Sequence, residues 1–156
     1  GWGALMGFFA GLFSFIVWTF FPPATSAMFA FVFTPFYSVG GVSGNFGSIL
    51  ICFVPRILAG LVPGLLFHQA APVFKKVDWL RYILAGIGGS LVNTLGVVGG
   101  TWLFFGDTYS AMLGVAMSVI LVTTLTTNGL VEMLVSGAAS LLICKPLKSA
   151  LDKQRG

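Results

Sequence analysis

Arg56 is the residue that most needs explaining. It stands in ICFVPRILAGLVPGLLF, residues 51–67, a stretch that is otherwise apolar and holds two prolines. A charge at membrane depth costs about 2.5–3.5 kcal/mol on insertion scales, so it persists where it faces a protein interior or a wet cavity. Glu132, in NGLVEMLVSGAAS, poses the same problem. Thr124, Asn128, Glu132, Ser136 and Ser140 recur every four residues, which on a continuous helix makes one slowly drifting polar stripe. Facing lipid, such a stripe is excluded by its cost. A third segment, GGSLVNTLGVVGGT, adds Ser90, Asn93, Thr94 and Thr101, and residues 22–45 add Thr34, Tyr37, Ser43 and Asn45.

These residue types suit recognition of a small polar solute. Arginine forks onto a carboxylate. Asparagine and glutamate match hydroxyls, amides or ring nitrogens. Tyr37, Trp102 and some of the 16 phenylalanines offer packing surface, the rest being core or lipid-facing. Two readings follow. In one, Arg56 and Glu132 pair with each other and the asparagines bond across helices. In the other, they line a polar pocket open to the outside. Donors and acceptors from three spans at one depth favour the pocket. No HExxH, CxxC, GxSxG or Walker pattern occurs, so neither a metal site nor ATP hydrolysis is supported, and no nucleophile set points to an enzyme. His68 reads as an interfacial residue, and Cys52 and Cys144 as small packing residues near opposite faces of the bilayer.

The elements that carry these groups are membrane helices. Of 156 residues, 57% are hydrophobic and 8% charged, against about 25% charged in soluble domains. Long apolar runs rather than alternating ten-residue segments exclude an outer-membrane barrel. Spans are expected at about 3–21, 48–67 and 80–105, with a last one from about 128. Residues 109–126 are expected as a separate helix or re-entrant piece near the outer side. The net charge of +4 comes from two basic clusters, KKVDWLR and KPLKSALDKQR, which the positive-inside rule places together on the cytoplasmic side. An even number of crossings must then separate them, and residues 22–45 form a long, partly apolar external loop of the kind that serves as a lid. Gly3, Gly7 and Gly11 form a doubled GxxxG, followed by Gly60/Gly64 and Gly96/Gly100. Such faces pack helices closely, within the chain or onto a membrane partner. The chain starts close to an apolar span without a methionine, so an N-terminal segment is expected to precede it.

CFVPRILAGLVPGLLF, GGSLVNTLGVVGGTWLFFG and NGLVEMLVSGAAS followed by KPLKSAL, in this order, resemble the substrate-binding S component of energy-coupling factor (ECF) vitamin transporters. The resemblance runs over most of the chain and is nearest the branch that takes pantothenate, hydroxymethylpyrimidine or pyridoxine. It implies an all-α, polytopic six-helix bundle, a single transmembrane substrate-binding domain over 1–156, with the first one or two helices missing from this sequence. It implies Arg56, Asn93, Asn128 and Glu132 as landmark site positions; Thr94, Tyr37, Asn45 and Trp102 join them as candidates by residue type, and Gly3, Gly7 and Gly11 are a candidate docking face by their spacing, the family's own docking motif being expected in the missing helices. It also implies a multi-pass protein of the bacterial plasma membrane with a cytoplasmic C-terminus. The partners would be a transmembrane coupling subunit and two cytoplasmic ATPases, which hydrolyse the ATP, so this chain needs no cofactor. Pantothenate, with its carboxylate, hydroxyls and amide, is favoured. Pyridoxine or hydroxymethylpyrimidine, leaning on Glu132, is the alternative, and an assembly subunit without ligand is the rival from another class.

Overall fold

The computed structural model describes residues 1–70, 74 and 77–155. Four helical stretches are long and apolar enough to cross a membrane. They are α1 (Trp2–Phe20), α2 (Phe46–Ala70), α3 (Asp78–Leu113) and a rod over Met117–Gln154. The rod is built from α4 (Met117–Thr124), α5 (Leu130–Ala139) and most of α6 (Lys145–Arg155), joined by π-helical turns at Leu125–Gly129 and Ser140–Cys144. The all-α polytopic fold read from composition is what is observed. Large apolar side chains such as Phe13, Leu103, Leu134 and Leu142 are mostly exposed, as a lipid-facing surface requires.

The helices pack in chain order, α1 on α2, α2 on α3 and α3 on α5. Small residues make each seam. Gly3, Gly7 and Gly11 lie against the α2 backbone at Gly60, Arg56 and Cys52–Phe53, so close that any Cβ would meet backbone or ring atoms. This face is filled by α2, the within-chain packing that the glycine spacing allows. In lipid, close backbone approach of this kind replaces the hydrophobic effect as the source of helix association. The α2–α3 seam works differently. The rings of Pro55 and Pro63 lie over Gly96 and Gly89, so the glycines are holes that receive the prolines. On the other side of α3, Gly86 meets the backbone at Ser136, and Gly137 meets Ile83 and Ile87.

Two boundaries differ from the sequence reading. Residues 109–113 complete α3, which ends where Gly114 adopts φ 68° and its N–H bonds to the Ser110 carbonyl. The last crossing starts at Met117 rather than near 128, so no separate piece spans 109–126. The reason is length. At 1.5 Å per residue, 36 residues reach about 54 Å, well past the ~30 Å of a bilayer core. The far turns of α3 therefore stand clear of the hydrocarbon, and an apolar cap covers them.

That cap is the segment between α1 and α2. Ala27–Val32 forms a 3₁₀ turn, and β1 (Ser38–Val39) and β2 (Val42–Ser43) form a hairpin whose two-residue turn is Gly40-Gly41, both at positive φ. Phe31, Val32 and Thr34 are almost wholly buried, and Phe31 packs edge-on against Phe105. The Ser48 hydroxyl donates to the Phe31 carbonyl at 2.6 Å, and Thr19 donates to Thr34 at 2.8 Å. The expected loop is a plug seated in the helix bundle.

At the opposite end the two basic clusters meet. Arg81 and Lys148 both lie over the Phe67 ring, at 4.9 and 5.6 Å. Two crossings separate them, the even number expected. Lys75 and Lys76 fall outside the described residues.

Candidate binding site beneath the plug

Arg56 owes its conformation to the residue before it. A proline in a helix has no N–H to give the carbonyl four residues back, so Pro55 orphans the Ile51 carbonyl. Water cannot satisfy that group in hydrocarbon. The Arg56 side chain turns back along α2 and its Nη1 donates to the Cys52 carbonyl at 2.9 Å and toward the Ile51 carbonyl at 3.4 Å. Its guanidinium also lies 5.6 Å from the centre of the Phe33 ring, and Phe33 is stacked on Trp18 at 4.8 Å. The remaining guanidinium N–H groups have no hydrogen-bond partner among the described residues.

Glu132 is held from the other side of α3. Its Oε2 accepts the Thr94 hydroxyl at 2.8 Å. The ion pair formed among the described residues is Arg81 with Asp78, and Arg56 and Glu132 do not meet. The helix register gives the reason. Pro55 sits over Gly96 and Glu132 bonds Thr94, two residues apart on α3. Two residues are about 3 Å along the axis and about 200° around it, so the charges share a depth while α3 stands between them. The equal depth matches the sequence reading, and the direct pair does not occur.

Other polar positions fall along the same seam. Asn93 and Ser90 lie between the two proline–glycine contacts of α3, and Asn93 Oδ1 and Ser90 Oγ are buried with no hydrogen-bond partner among the described residues. Buried acceptors in that state are uncommon and call for a partner. Asn128 sits in the first π turn, exposed, one turn from Glu132. Four-residue steps on an ordinary helix drift by about 40° each; the wider π turns take back part of that drift and keep Thr124, Asn128 and Glu132 on one side.

Above these groups, toward the plug, is an apolar cavity of about 130 Å³. Phe29 and Phe33 come to it from the plug, Val97, Thr101 and Tyr109 from α3, and Thr124 from α4. Val97 is one turn from Asn93, Thr124 is one turn from Asn128, and Phe33 is shared with Arg56. The plug residues went unrecognised in the sequence, although the apolar run AMFAFVF inside a supposed external loop carried the signal.

Three expected site residues lie elsewhere. Asn45 caps α2, its Oδ1 accepting the Gly47 N–H at 2.7 Å while Ser48 Oγ accepts the Asn45 N–H at 3.0 Å. This is a reciprocal cap, so the amide is already engaged. Trp102 is 60% exposed beside Gly99 and Leu103, on the outward face of α3. Tyr37 belongs to the hairpin, where its carbonyl accepts the Gly44 N–H, and it is not on the cavity wall.

Fold and site define a class: a polytopic α-helical membrane protein with a folded plug at one end and two charges within its spans, Arg56 and Glu132, on either side of α3 and without an ion-pair partner among the described residues. Over 158 residues the chain is 33% identical to the pantothenic acid transporter PanT of Lactococcus lactis subsp. cremoris (strain MG1363), taking in 99% of this chain and 71% of that protein. The chain belongs to the family of that transporter. No family model and no solved structure matches the chain.

Proposed function

We propose that the chain is the S component of an ECF-type importer and that its vitamin is pantothenate. The observation that carries this is Arg56, a membrane-depth cation with free donors and no acidic partner among the described residues. A carboxylate ligand completes it by charge-assisted hydrogen bonds. The branched apolar part of pantothenate fits against the cavity under Phe33, and its hydroxyls and amide suit Asn93, whose buried Oδ1 lies on α3 between the two proline–glycine contacts. The similarity to a pantothenic acid transporter supports the same choice. One observation favours the alternative of pyridoxine or hydroxymethylpyrimidine: Glu132 Oε1 has no protein donor among the described residues and is open to a ring N–H or hydroxyl.

In this reading the vitamin enters from the plug side. The sequence carries no nucleotide-binding motif, so energy comes from ATP hydrolysed by two cytoplasmic ATPases through a transmembrane coupling subunit. The meeting of both basic clusters at one end supports a cytoplasmic C-terminus.

Calorimetry on the purified protein with pantothenate, pyridoxine and hydroxymethylpyrimidine tests the ligand. Tight binding of pantothenate that Arg56→Ala abolishes supports the proposal. Tight binding of a neutral ring vitamin, or pantothenate binding indifferent to Arg56→Ala, overturns it. Uptake that persists without the ATPases overturns the importer reading.

A further inference from the structure

The basic end of the molecule holds two hollows that the vitamin reading leaves unused. One, of about 310 Å³, is a slot between α2, α3 and the second π turn, with walls from Pro63, Gly64, Phe67, Ala85, Ser140 and Cys144. Nothing lies within 4 Å of where a Cβ on Gly64 would stand, so the slot is open over that residue. The other, of about 480 Å³, is a polar mouth between the start of α3 and α6, faced by Asp78, Lys145, Lys148, Asp152 and Lys153. Tyr82 and Lys148 border both, so slot and mouth join along one seam.

The charges at the mouth do not cancel. Asp78 is taken by Arg81, and no carboxylate lies within ion-pair distance of Lys145, Lys148 or Lys153 among the described residues. Three lysines therefore face a single unpaired carboxylate, Asp152, an excess of two positive charges. Lys148 runs its stem from the apolar slot to the mouth, with Nζ 5.6 Å from the Phe67 ring, the posture of a side chain that reaches from hydrocarbon to the interface.

We propose that slot and mouth form one binding site for an anionic phospholipid. One acyl chain lies in the slot over Gly64 against Pro63 and Phe67, and the headgroup phosphate lies between Lys145 and Lys148 with Tyr82 at the seam. Basic pockets between spans at the cytoplasmic end are suited to such headgroups. A free phosphate matches the mouth alone and leaves the slot uncovered; a lipid covers both. The site is at the far end from the plug and is independent of which vitamin binds.

Native mass spectrometry of the full chain in detergent, titrated with phosphatidylglycerol, phosphatidylcholine or glycerol phosphate, tests this. Phosphatidylglycerol is retained in preference to both others. Lys145→Gln and Lys148→Gln, at exposed positions that fold as the parent does, each weaken its retention about fivefold, the weight of one basic residue against an anionic surface. Gly64→Leu fills the slot without touching a charge and displaces the lipid as well. Equal retention of phosphatidylcholine overturns the proposal, as does binding of glycerol phosphate matching that of the lipid. Retention unchanged in both lysine variants does the same.

Discussion

At the scale of the residue, Pro55 and Arg56 act as one device. The proline opens a hole in the hydrogen bonding of α2, and the guanidinium covers it. A structural role and a ligand role are thus both assigned to Arg56, and they separate by experiment. Arg56→Gln loses charge-assisted bonds worth about 1.5–3 kcal/mol, which a thermal melt reads as lower stability. Adding Pro55→Ala returns a backbone N–H to the Ile51 carbonyl and recovers part of that stability. Pantothenate affinity, by contrast, stays about ten- to a hundredfold down in the double variant, because no backbone repair restores the cation. Glu132 yields a second test. Thr94→Val strips its donor and lowers stability by about 1–2 kcal/mol, whereas Glu132→Gln keeps an acceptor for Thr94 and leaves the melt close to that of the parent.

At the scale of the element, each helix is placed by a different local rule. α2 begins at the Asn45–Ser48 cap. Asn45→Ala should lower stability by about 1 kcal/mol, seen in the melt, with ligand affinity unchanged, since this amide is engaged by the helix end. α1 is placed by its glycines. Gly7→Leu sets a side chain against the Arg56 backbone, where neither partner can yield, and is expected to release α1 from α2. A cysteine pair across that seam, cross-linked in the parent and not in the variant, reads the outcome. α3 is placed by prolines over glycines, which explains why a helix with two internal prolines is found where glycines recur at spacing seven, Gly89 and Gly96.

At the scale of the molecule, the chain has a plugged end and a basic end. The hairpin turn at Gly40-Gly41 marks the first, and Phe67 between Arg81 and Lys148 marks the second. Single cysteines at Ser43 and at Lys153, in a chain with Cys52 and Cys144 replaced by serine, should label with a membrane-impermeant reagent from opposite sides of sealed vesicles. Labelling of both from one side would contradict the four-span arrangement. The arrangement also explains the charge pattern. Arg56 and Glu132 sit at one depth on either side of α3, and both basic clusters converge at the end remote from them.

The solvent of this chain was legible in its residues alone. A chain with 8% charged residues must place its long apolar runs in lipid, and a charge within such a run must find protein or water in place of hydrocarbon. Those are local costs, and they are legible one residue at a time. Charge also required an even number of crossings between the basic clusters, and the fold has two. The partners of each charge were decided only in the tertiary structure. Arg56 was as close to Glu132 in depth as the sequence reading required, yet the rotation of α3 kept them apart, and rotation depends on how Pro55 and Thr94 pack at once. The glycine face of α1 called for a close-packed helix, and only the fold named α2 as that helix. The stretch 109–126 was divided by Gly114 because α3 outgrows the bilayer and its far turns find cover in Phe29 and Phe31. Periodicity records which face of a helix is polar; it holds no information on which neighbour that face will meet, since that is fixed by close packing among segments far apart in the chain.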